Sequence, residues 1–126
     1  MTSPFDLQEV KRVDKPWGYE LIFARTGRYV GKILHITRGE SLSLQYHEIK
    51  DETLYVLAGE LKLTIEQDGE RRVLPLCRGE AFHISPRMVH RMEAVEDTDV
   101  AEVSTPELED VVRLDDRYGR TGTNSP

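Results

Sequence analysis

The feature that most constrains the fold is a pair of alternating segments joined by an Asp-Gly turn. Within residues 52–66, apolar and polar side chains alternate from Leu61 to Glu66, and a second segment follows at residues 70–76. Alternation with a period of two is typical of a β-strand that buries one face, and Asp68-Gly69 between two such segments is a strong β-hairpin signal. The sequence therefore predicts a strand over residues 52–66 paired with a strand over residues 70–76.

The remaining β segments are short and closely spaced. They cover residues 19–24, 31–37, 41–47, 80–84, 90–94 and 100–104. Many short strands separated by turns indicate an all-β sandwich or a small barrel. Residues 106–114 are the one stretch predicted to hold a helical turn, with Thr105 as its N-cap. We expect one domain over residues 5–120, with flexible termini at 1–4 and 121–126, where small, polar and proline residues concentrate.

Charge and cysteine content narrow the function classes. The 126 residues include 17 Lys and Arg against 23 Asp and Glu, a formal net charge of −6, so the field of the protein repels nucleic acid. Its apolar runs fall far short of the roughly 20 residues of a membrane span. The single cysteine, Cys77, cannot form an internal disulfide, and the N-terminus lacks the pattern of a secretory signal. We therefore expect a cytoplasmic protein with neither nucleic-acid nor membrane partners.

Four polar residues in the predicted strands form a candidate metal site. Gln45 and His47 are two residues apart, so a strand presents both on one face, and Glu52 follows after a short turn. His90 lies at the start of another strand with apolar residues on its own face. One amide oxygen, two imidazoles and one carboxylate suit zinc, manganese, iron, cobalt or nickel. By residue type alone, a strand Gln-Tyr-His is more often a surface or core feature than a set of ligands, so both interpretations stay open at this point.

The spacing of glycines around these residues resembles the cupin superfamily. Residues 39–59 have the pattern Gly-x5-Gln-x-His-x4-Glu-x6-Gly of the first cupin motif, with Gln45 in place of its usual first histidine. Residues 79–90 are similar to the second motif, with the interval from glycine to histidine intact but with Arg87 in place of its second glycine. The resemblance implies an all-β, single-domain cupin, which is a double-stranded β-helix or jelly-roll barrel.

Four segments resemble one branch of that superfamily, the C-terminal domain of type II phosphomannose isomerases, which includes stand-alone members. They are Lys-Pro-Trp-Gly-Tyr-Glu at 15–20, Ser-Leu-Ser-Leu-Gln-Tyr-His at 41–47, Glu-Asp-Val-Val-Arg at 109–113 and Asp-Arg-Tyr-Gly-Arg at 116–120. The resemblance implies four metal ligands: Gln45, His47, Glu52 and His90. Zinc and manganese are the foremost candidates for the metal, with iron, cobalt and nickel as alternatives.

The activity implied by the resemblance is that of a mannose-6-phosphate isomerase, an intramolecular oxidoreductase that interconverts an aldose and a ketose through an enediolate. The chain departs from the branch pattern, because Glu48-Ile49-Lys50 replaces His-His-Arg and Thr53-Leu54 replaces His-Trp. A non-catalytic metal-containing cupin that binds a sugar or another small molecule is therefore the alternative. An iron dioxygenase is disfavoured by Gln45, where such cupins supply a histidine. GDP-mannose synthesis is not expected, because the sequence contains no nucleotidyltransferase half.

Lys32, Glu102 and Arg113 complete the predicted site. Lys32 shares a strand face with Leu34 and Ile36, so it is predicted to enter the barrel, where it would bind a sugar phosphate or stabilise developing negative charge. A surface lysine is the alternative. Glu102 is the candidate general base, and a solvent-facing carboxylate is the alternative. Arg113 is predicted to bind phosphate through its planar guanidinium, with an ion pair to a nearby aspartate as the alternative.

Other conspicuous residues are given structural roles. His35 and His83 are predicted outside the barrel, because their strand positions are out of phase with Lys32 and with the metal motif. Trp17 is predicted to be a packing anchor under the N-terminal arm. We also expect a homodimer, since cupin barrels of this size commonly cover exposed sheet edges by pairing, with the arm around Trp17 contributing to the interface.

Overall fold

Twelve β-strands account for the regular secondary structure of the described residues, 3–120 and 122–123, in the computed structural model. They are β1 (Lys11–Lys15), β2 (Gly18–Arg25), β3 (Val30–Ile36), β4 (Leu44–Tyr46), β5 (Glu52–Ala58), β6 (Glu60–Gln67), β7 (Glu70–Cys77), β8 (Ala81–Ile84), β9 (Val89–Ala94), β10 (Thr98–Ser104), β11 (Val112–Asp115) and β12 (Gly122–Thr123). Within the described residues there is no helix that could cross a membrane. Of the termini predicted to be flexible, residues 1, 2, 121 and 124–126 lie outside the described residues.

The strands form two six-stranded antiparallel sheets. The first sheet has the order β1-β2-β3-β10-β5-β8, and the second has the order β12-β11-β4-β9-β6-β7. Leu34 and Leu54 from the first sheet and Leu63 and Met92 from the second belong to one core cluster and are almost fully buried. The two sheets therefore pack face to face around a shared core, and the predicted all-β fold is confirmed.

The hairpin predicted at Asp68-Gly69 is confirmed. Strands β6 and β7 pair in register up to Gln67 and Glu70, which leaves two residues in the turn. Asp68 and Gly69 have φ angles of 54° and 77°. Positive φ at both central residues is what a type I′ hairpin turn requires, and Asp-Gly supplies it at low cost.

The segment predicted as one strand over residues 52–66 is in fact two strands, so this part of the prediction is wrong. Strand β5 ends at Ala58 in the first sheet and β6 begins at Glu60 in the second, with Gly59 between them at φ 87°. A Cβ atom at Gly59 would lie 2.4 Å from the Asp97 carbonyl oxygen. Because glycine alone accommodates this backbone region and this close approach together, the chain crosses between sheets here.

The segment over residues 105–111, which we call the strap, contains no helix, so the helical turn predicted over residues 106–114 is wrong. Thr105 does not cap a helix, because its Oγ1 accepts a hydrogen bond from the Asp51 backbone N–H at 3.0 Å. The Asp110 carboxylate is likewise bonded to the backbone of the loop after β4. These distant partners use the groups that would cap a helix. The strap instead runs from β10 in the first sheet to β11 in the second.

Candidate metal centre

Three buried side chains, which we call the triad, converge inside the barrel. The Nε2 atoms of His47 and His90 lie 3.4 and 3.3 Å from the same Glu52 oxygen, Oε1. One ligand atom from each residue lies within 4.8 Å of the others, and all three residues are at most 3% exposed. Ligand atoms that are about 2.1 Å from one metal ion lie roughly 3–4 Å apart, so this separation suits a single divalent ion.

Both sheets contribute to the triad. His47 directly follows β4 and His90 is in β9, both in the second sheet, whereas Glu52 opens β5 in the first sheet. Strands β4 and β9 are neighbours that pair Gln45 with His90. The offset of two residues puts His47 on the same side as Gln45, and the turn after β4 brings Glu52 across from the other sheet.

The proton positions on the two imidazoles follow from their partners. Nδ1 of His47 donates to the Asp110 carbonyl oxygen at 2.6 Å, and Nδ1 of His90 donates to the Met88 carbonyl oxygen at 2.9 Å. A carbonyl oxygen only accepts, so each Nδ1 carries a proton, and in the neutral form of each ring the Nε2 lone pair is directed at Glu52. Neither Nε2 atom has a hydrogen-bond partner among the described residues, although both are buried. Two lone pairs and a carboxylate oxygen facing one another fit a divalent metal ion.

Gln45 and His47 both line a cavity inside the barrel, but the Gln45 side chain is bonded to a neighbour. Its Oε1 accepts a hydrogen bond from the Ser43 hydroxyl at 2.6 Å. Three of the four ligands predicted from the sequence therefore come together, and the fourth lies beside His90 with its amide oxygen engaged. Gln45 as a metal ligand stays a prediction, which requires its amide to turn away from Ser43.

Lys50, which was not predicted from the sequence, lies in the site and sets the charge of Glu52. Nζ of Lys50 lies 3.1 Å from Glu52 Oε2 and 3.2 Å from Glu102 Oε2. Burial alone would lower the pKa of Lys50, but the two carboxylates raise it above its ordinary value. Burial would raise the pKa of Glu52, yet the neighbouring Lys50 ammonium holds it well below its ordinary value. Lys50 and Glu52 are therefore both ionised, and Oε1 of Glu52 stays directed at the imidazoles.

Lys32 and Glu102 both face the interior of the barrel. They are cross-strand neighbours in β3 and β10 and are 3% and 5% exposed, so the surface alternatives considered for them do not apply. Nζ of Lys32 lies 3.3 Å from Glu20 Oε1, and Glu102 is bonded to Lys50. Each residue thus enters the cavity as one half of an ion pair, and the catalytic roles of both stay predictions.

Four cationic residues, which we call the cation cluster, line the cavity beside the triad: Lys15, Lys32, Arg113 and Arg120. Burial and the surrounding cations lower the pKa of Lys15, against the opposing effect of one glutamate. Burial and the neighbouring Arg120 lower the pKa of Arg113, which is 6% exposed. Arg120 is held by Asp116, whose carboxylate accepts from its Nε at 3.1 Å. The predicted phosphate ligand Arg113 therefore lies within a desolvated group of positive charges.

The other two histidines lie away from the triad. Nδ1 of His35 is 2.7 Å from Asp99 Oδ1, and Nε2 of His83 is 2.5 Å from Asp51 Oδ1. Both histidines lie on the outer side of strands of the first sheet, in agreement with the strand phase. Trp17 is 3% exposed and belongs to the core cluster, so it is a packing residue.

The family follows from this fold and site. A family profile described as the cupin domain matches residues 32–105, a range that contains the triad and Gln45. This is more than half of the chain, and the two sheets and the His-Glu-His geometry agree with it. The chain belongs to the cupin family, and the resemblance stated from the sequence is confirmed.

Curated relatives are much longer proteins. Mannose-1-phosphate guanylyltransferase of Escherichia coli (strain K12) is 36% identical over 116 residues, which are 87% of this chain and 23% of that protein. Alginate biosynthesis protein AlgA of Pseudomonas putida is 29% identical over 123 residues, which are 94% of this chain and 24% of that protein. The chain thus spans about a quarter of the length of these relatives.

Solved structures agree with the fold. KdgF from Halomonas sp. superposes with a TM-score of 0.66 at 27% identity, covering 76% of this chain and 86% of that one. Oxalate decarboxylase from Bacillus subtilis superposes with a TM-score of 0.74 at 14% identity, covering 84% of this chain and 30% of that one. The second likeness shows a shared fold alone.

Proposed function

We propose that this cupin is a metal-dependent sugar-phosphate isomerase of the mannose-6-phosphate type, an intramolecular oxidoreductase. The observation that carries the proposal is the buried triad of His47, Glu52 and His90 beside a cavity lined by the cation cluster. A metal site alone would suit many cupin activities, and the cations favour a phosphorylated substrate. Relatives whose names contain mannose-1-phosphate favour a mannose phosphate.

The lining of the cavity has a charge opposite to that of the whole chain. Five lysine and arginine side chains line it against two glutamates, although the formal net charge of the chain is −6. Burial and mutual repulsion within the cluster lower the pKa of Lys15 and of Arg113. Lys32 and Arg120 are already paired with Glu20 and Asp116, and a phosphate dianion would further reduce the repulsion among the cations. Arginine guanidinium groups match phosphate oxygens with paired N–H donors. The cavity is therefore suited to a phosphorylated ligand.

Strand register sets the distance between Arg113 in the cation cluster and His90 in the triad. Arg113, Gln45 and His90 are cross-strand neighbours in β11, β4 and β9. Adjacent strands are about 4.8 Å apart, so the backbones of Arg113 and His90 are separated by roughly 10 Å. We therefore propose that the phosphate binds on the Arg113 side of the cation cluster and that C1 and C2 of the sugar lie at the triad.

Residues of this chain can be given roles in the reaction. A divalent ion held by the triad, with zinc or manganese as first candidates and iron, cobalt or nickel as alternatives, would supply Lewis acidity at a substrate oxygen. Glu102 is the proposed base that takes the proton from C2 at Oε1, because its Oε2 is bonded to Lys50. Glu102 then returns this proton to C1 while a hydroxyl proton shifts from O2 to O1. Lys32 stabilises the negative charge of the enediolate.

A coupled isomerase assay over a panel of phosphorylated aldoses tests the proposal, with metal-loaded and chelated protein side by side. We expect turnover of mannose 6-phosphate, or of a closely related sugar phosphate, that a chelator abolishes and added metal restores. Arg113→Ala should raise KM more than it lowers kcat, whereas Arg38→Ala, on an exposed arginine outside the cavity, should change neither. Absence of turnover with every phosphorylated aldose would overturn the enzyme proposal.

A non-catalytic metal-containing cupin that binds a sugar or another small molecule is the second candidate. The ion pair between Glu102 and Lys50 favours it, because the ammonium group occupies one of the two oxygens of the proposed base. This candidate predicts that calorimetry detects sugar-phosphate binding to the metal-loaded protein while the coupled assay detects no turnover. Calorimetry and the assay, run on the same preparation, therefore distinguish the two candidates.

We also propose that the protein is a homodimer joined through the outer face of the first sheet. One cross-strand row on that face is apolar and consists of Leu21, Ile33, Ala101 and Tyr55. Tyr55 and the nearby Val103 are 43% and 56% exposed. The arm around Trp17 stays a predicted contributor to the interface, although the Trp17 side chain itself is buried within its own chain. Light scattering should give a dimer for the wild type and a monomer for Tyr55→Lys, and a monomeric wild type would overturn this proposal.

A cytoplasmic location stays a prediction.

A further inference from the structure

We infer that Asp110 is a positioning residue of the metal centre, which fixes both the His47 ring and the loop that joins β4 to β5. The inference rests on the metal site of the proposed function. The main-chain oxygen of Asp110 accepts a hydrogen bond from His47 Nδ1 at 2.6 Å. Its carboxylate accepts from three successive backbone N–H groups, those of Glu48 at 3.0 Å, Ile49 at 2.7 Å and Lys50 at 2.8 Å.

The bond to the main-chain oxygen decides which nitrogen of His47 faces the triad. With Nδ1 as a donor, the neutral ring presents an Nε2 lone pair to Glu52. A ring in the other tautomer would present an N–H group there and could not bind a cation through that atom. Asp110 therefore selects the form of His47 that a metal needs.

The carboxylate of Asp110 controls the geometry of the loop. Residues 47–51 leave the second sheet at His47 and enter the first sheet at Glu52, so the shape of this loop sets the position of two triad members relative to each other. The loop also carries Lys50, which is ion-paired to Glu52. Losing the Asp110 carboxylate would leave three N–H groups without their acceptor and shift these side chains together.

The same residue links the metal centre to the strap. Leu108 in the strap packs with Ile22 and Val30 in a second buried cluster, and Leu108 and Val111 line the cavity. Order in the strap and the position of His47 therefore depend on each other through Asp110. Metal binding is expected to slow amide hydrogen exchange in the strap.

Matched variants separate positioning from a general contribution to folding. Asp110→Ala removes the carboxylate that accepts from all three N–H groups. Asp110→Asn retains one acceptor oxygen, and it is the variant to measure if the alanine variant does not fold. Glu109→Gln removes the same charge from an exposed neighbour. Asp97→Asn weakens a comparable bond from a carboxylate to a backbone N–H, that of Arg38 at 2.8 Å, far from the triad in the fold.

Two readouts are needed, zinc affinity by competition with a chromophoric chelator and the ¹⁵N resonances of the His47 ring in metal-free protein. We expect zinc affinity to fall roughly 10- to 100-fold in Asp110→Ala, with a smaller fall in Asp110→Asn. Both controls should stay within about twofold of the wild type. The ¹⁵N shifts should show the fixed Nδ1–H form in the wild type and in Asp97→Asn, and a mixture of tautomers in the Asp110 variants.

Each outcome decides the inference. Wild-type zinc affinity together with an unchanged Nδ1–H form in a folded Asp110 variant would overturn it. Equal losses of stability in Asp110→Asn and Asp97→Asn, with unchanged zinc affinity in both, would show a merely structural role and overturn it as well. If the wild type binds no zinc, the metal centre of the proposed function fails, and the ¹⁵N comparison in metal-free protein alone decides whether Asp110 positions His47.

Discussion

The two ends of the barrel interior are built from the same strands and have opposite character. On β5, the inward face passes from Glu52 at one end to Val56 towards the other, and on β9 it passes from His90 to Ala94. We call these the polar end, which holds the triad, and the apolar end. All four residues are buried, so the change in character along each strand is not a change in exposure to water.

This difference indicates that the apolar end stabilises the fold and that the polar end carries the chemistry. Leu61, Leu63 and Val56 are fully buried at the apolar end and contribute about 25 cal/mol for each Å² of apolar surface removed from water. The ion pairs at the polar end lose hydration on burial, and their mutual attraction offsets that loss only in part. We therefore expect the apolar end to support a polar end that is unfavourable for folding, and changes at the two ends to separate stability from metal binding.

The largest expected effect is the loss of most of the bound metal in His47→Ala, because the substitution removes one of three converging ligands. Metal analysis of the purified protein measures it, and kcat should fall with the metal content. Val56→Ala, at the apolar end of the same interior, should lower the free energy of unfolding and keep the full metal content. A His47→Ala protein with wild-type metal content would show that the triad does not bind the ion.

The next largest effect is expected for Glu102→Gln, in which the proposed base can no longer accept a proton. We expect kcat to fall about 10²- to 10⁴-fold with little change in KM and with metal retained. Glu20→Gln is the matched control, since Glu20 is equally buried, lines the same cavity and pairs with Lys32. Thermal unfolding checks the fold, because Lys50 loses a partner. Equal losses of kcat in the two variants would assign Glu102 to charge balance and not to proton transfer.

The part of the fold that depends on local rules could be predicted from the sequence. Alternation identified the strands around the core, and Asp68-Gly69 identified the hairpin, because both signals depend on neighbours along the chain. The break at Gly59 was missed, since a glycine within an apolar run gives no sign of the Asp97 oxygen that excludes a side chain. The strap was missed because its polar groups bond to residues about 60 positions away, and tertiary partners overrode the local helix signal.

The candidate site divides in the same way. His47, Glu52 and His90 could be predicted because motif spacing and strand phase both pointed to them. Lys50 was missed because it lies in a loop, where no periodicity indicates which side chains turn inward. One signal for it existed, since Lys50 stands where the pattern of the type II isomerases has an arginine, so a cation is retained at that position. Lys15 comes from β1, which the sequence pattern did not predict as a strand.

The apolar end supplies the third prediction. Leu63→Ala should lower the free energy of unfolding by about 2–5 kcal/mol, because it removes a fully buried side chain and leaves a cavity. Urea unfolding measures it, and the metal content of the folded protein should not change. Val73→Ala, on the neighbouring strand and 53% exposed, should stay within about 0.5 kcal/mol of the wild type. Loss of metal from folded Leu63→Ala would mean that the two ends are not separable.

The smallest effect is expected at the rim of the polar end, where Asp116 holds Arg120 at the cavity. Burial would raise the pKa of Asp116, but bonds from the Arg120 side chain and backbone N–H hold it below its ordinary value of 3.8. Because the folded pKa lies below the unfolded one, the stability that this carboxylate contributes is complete above the unfolded value and disappears as the pH falls through the folded value. Urea unfolding at several pH values should therefore show a stability difference between the wild type and Asp116→Asn that shrinks on acidification.

The control is Asp115→Asn, on a side chain that is 71% exposed and paired with Arg91, and it should show a much smaller difference from the wild type. A difference for Asp116→Asn that stays constant down to about pH 3 would show that its carboxylate is not stabilised by Arg120 in the folded protein.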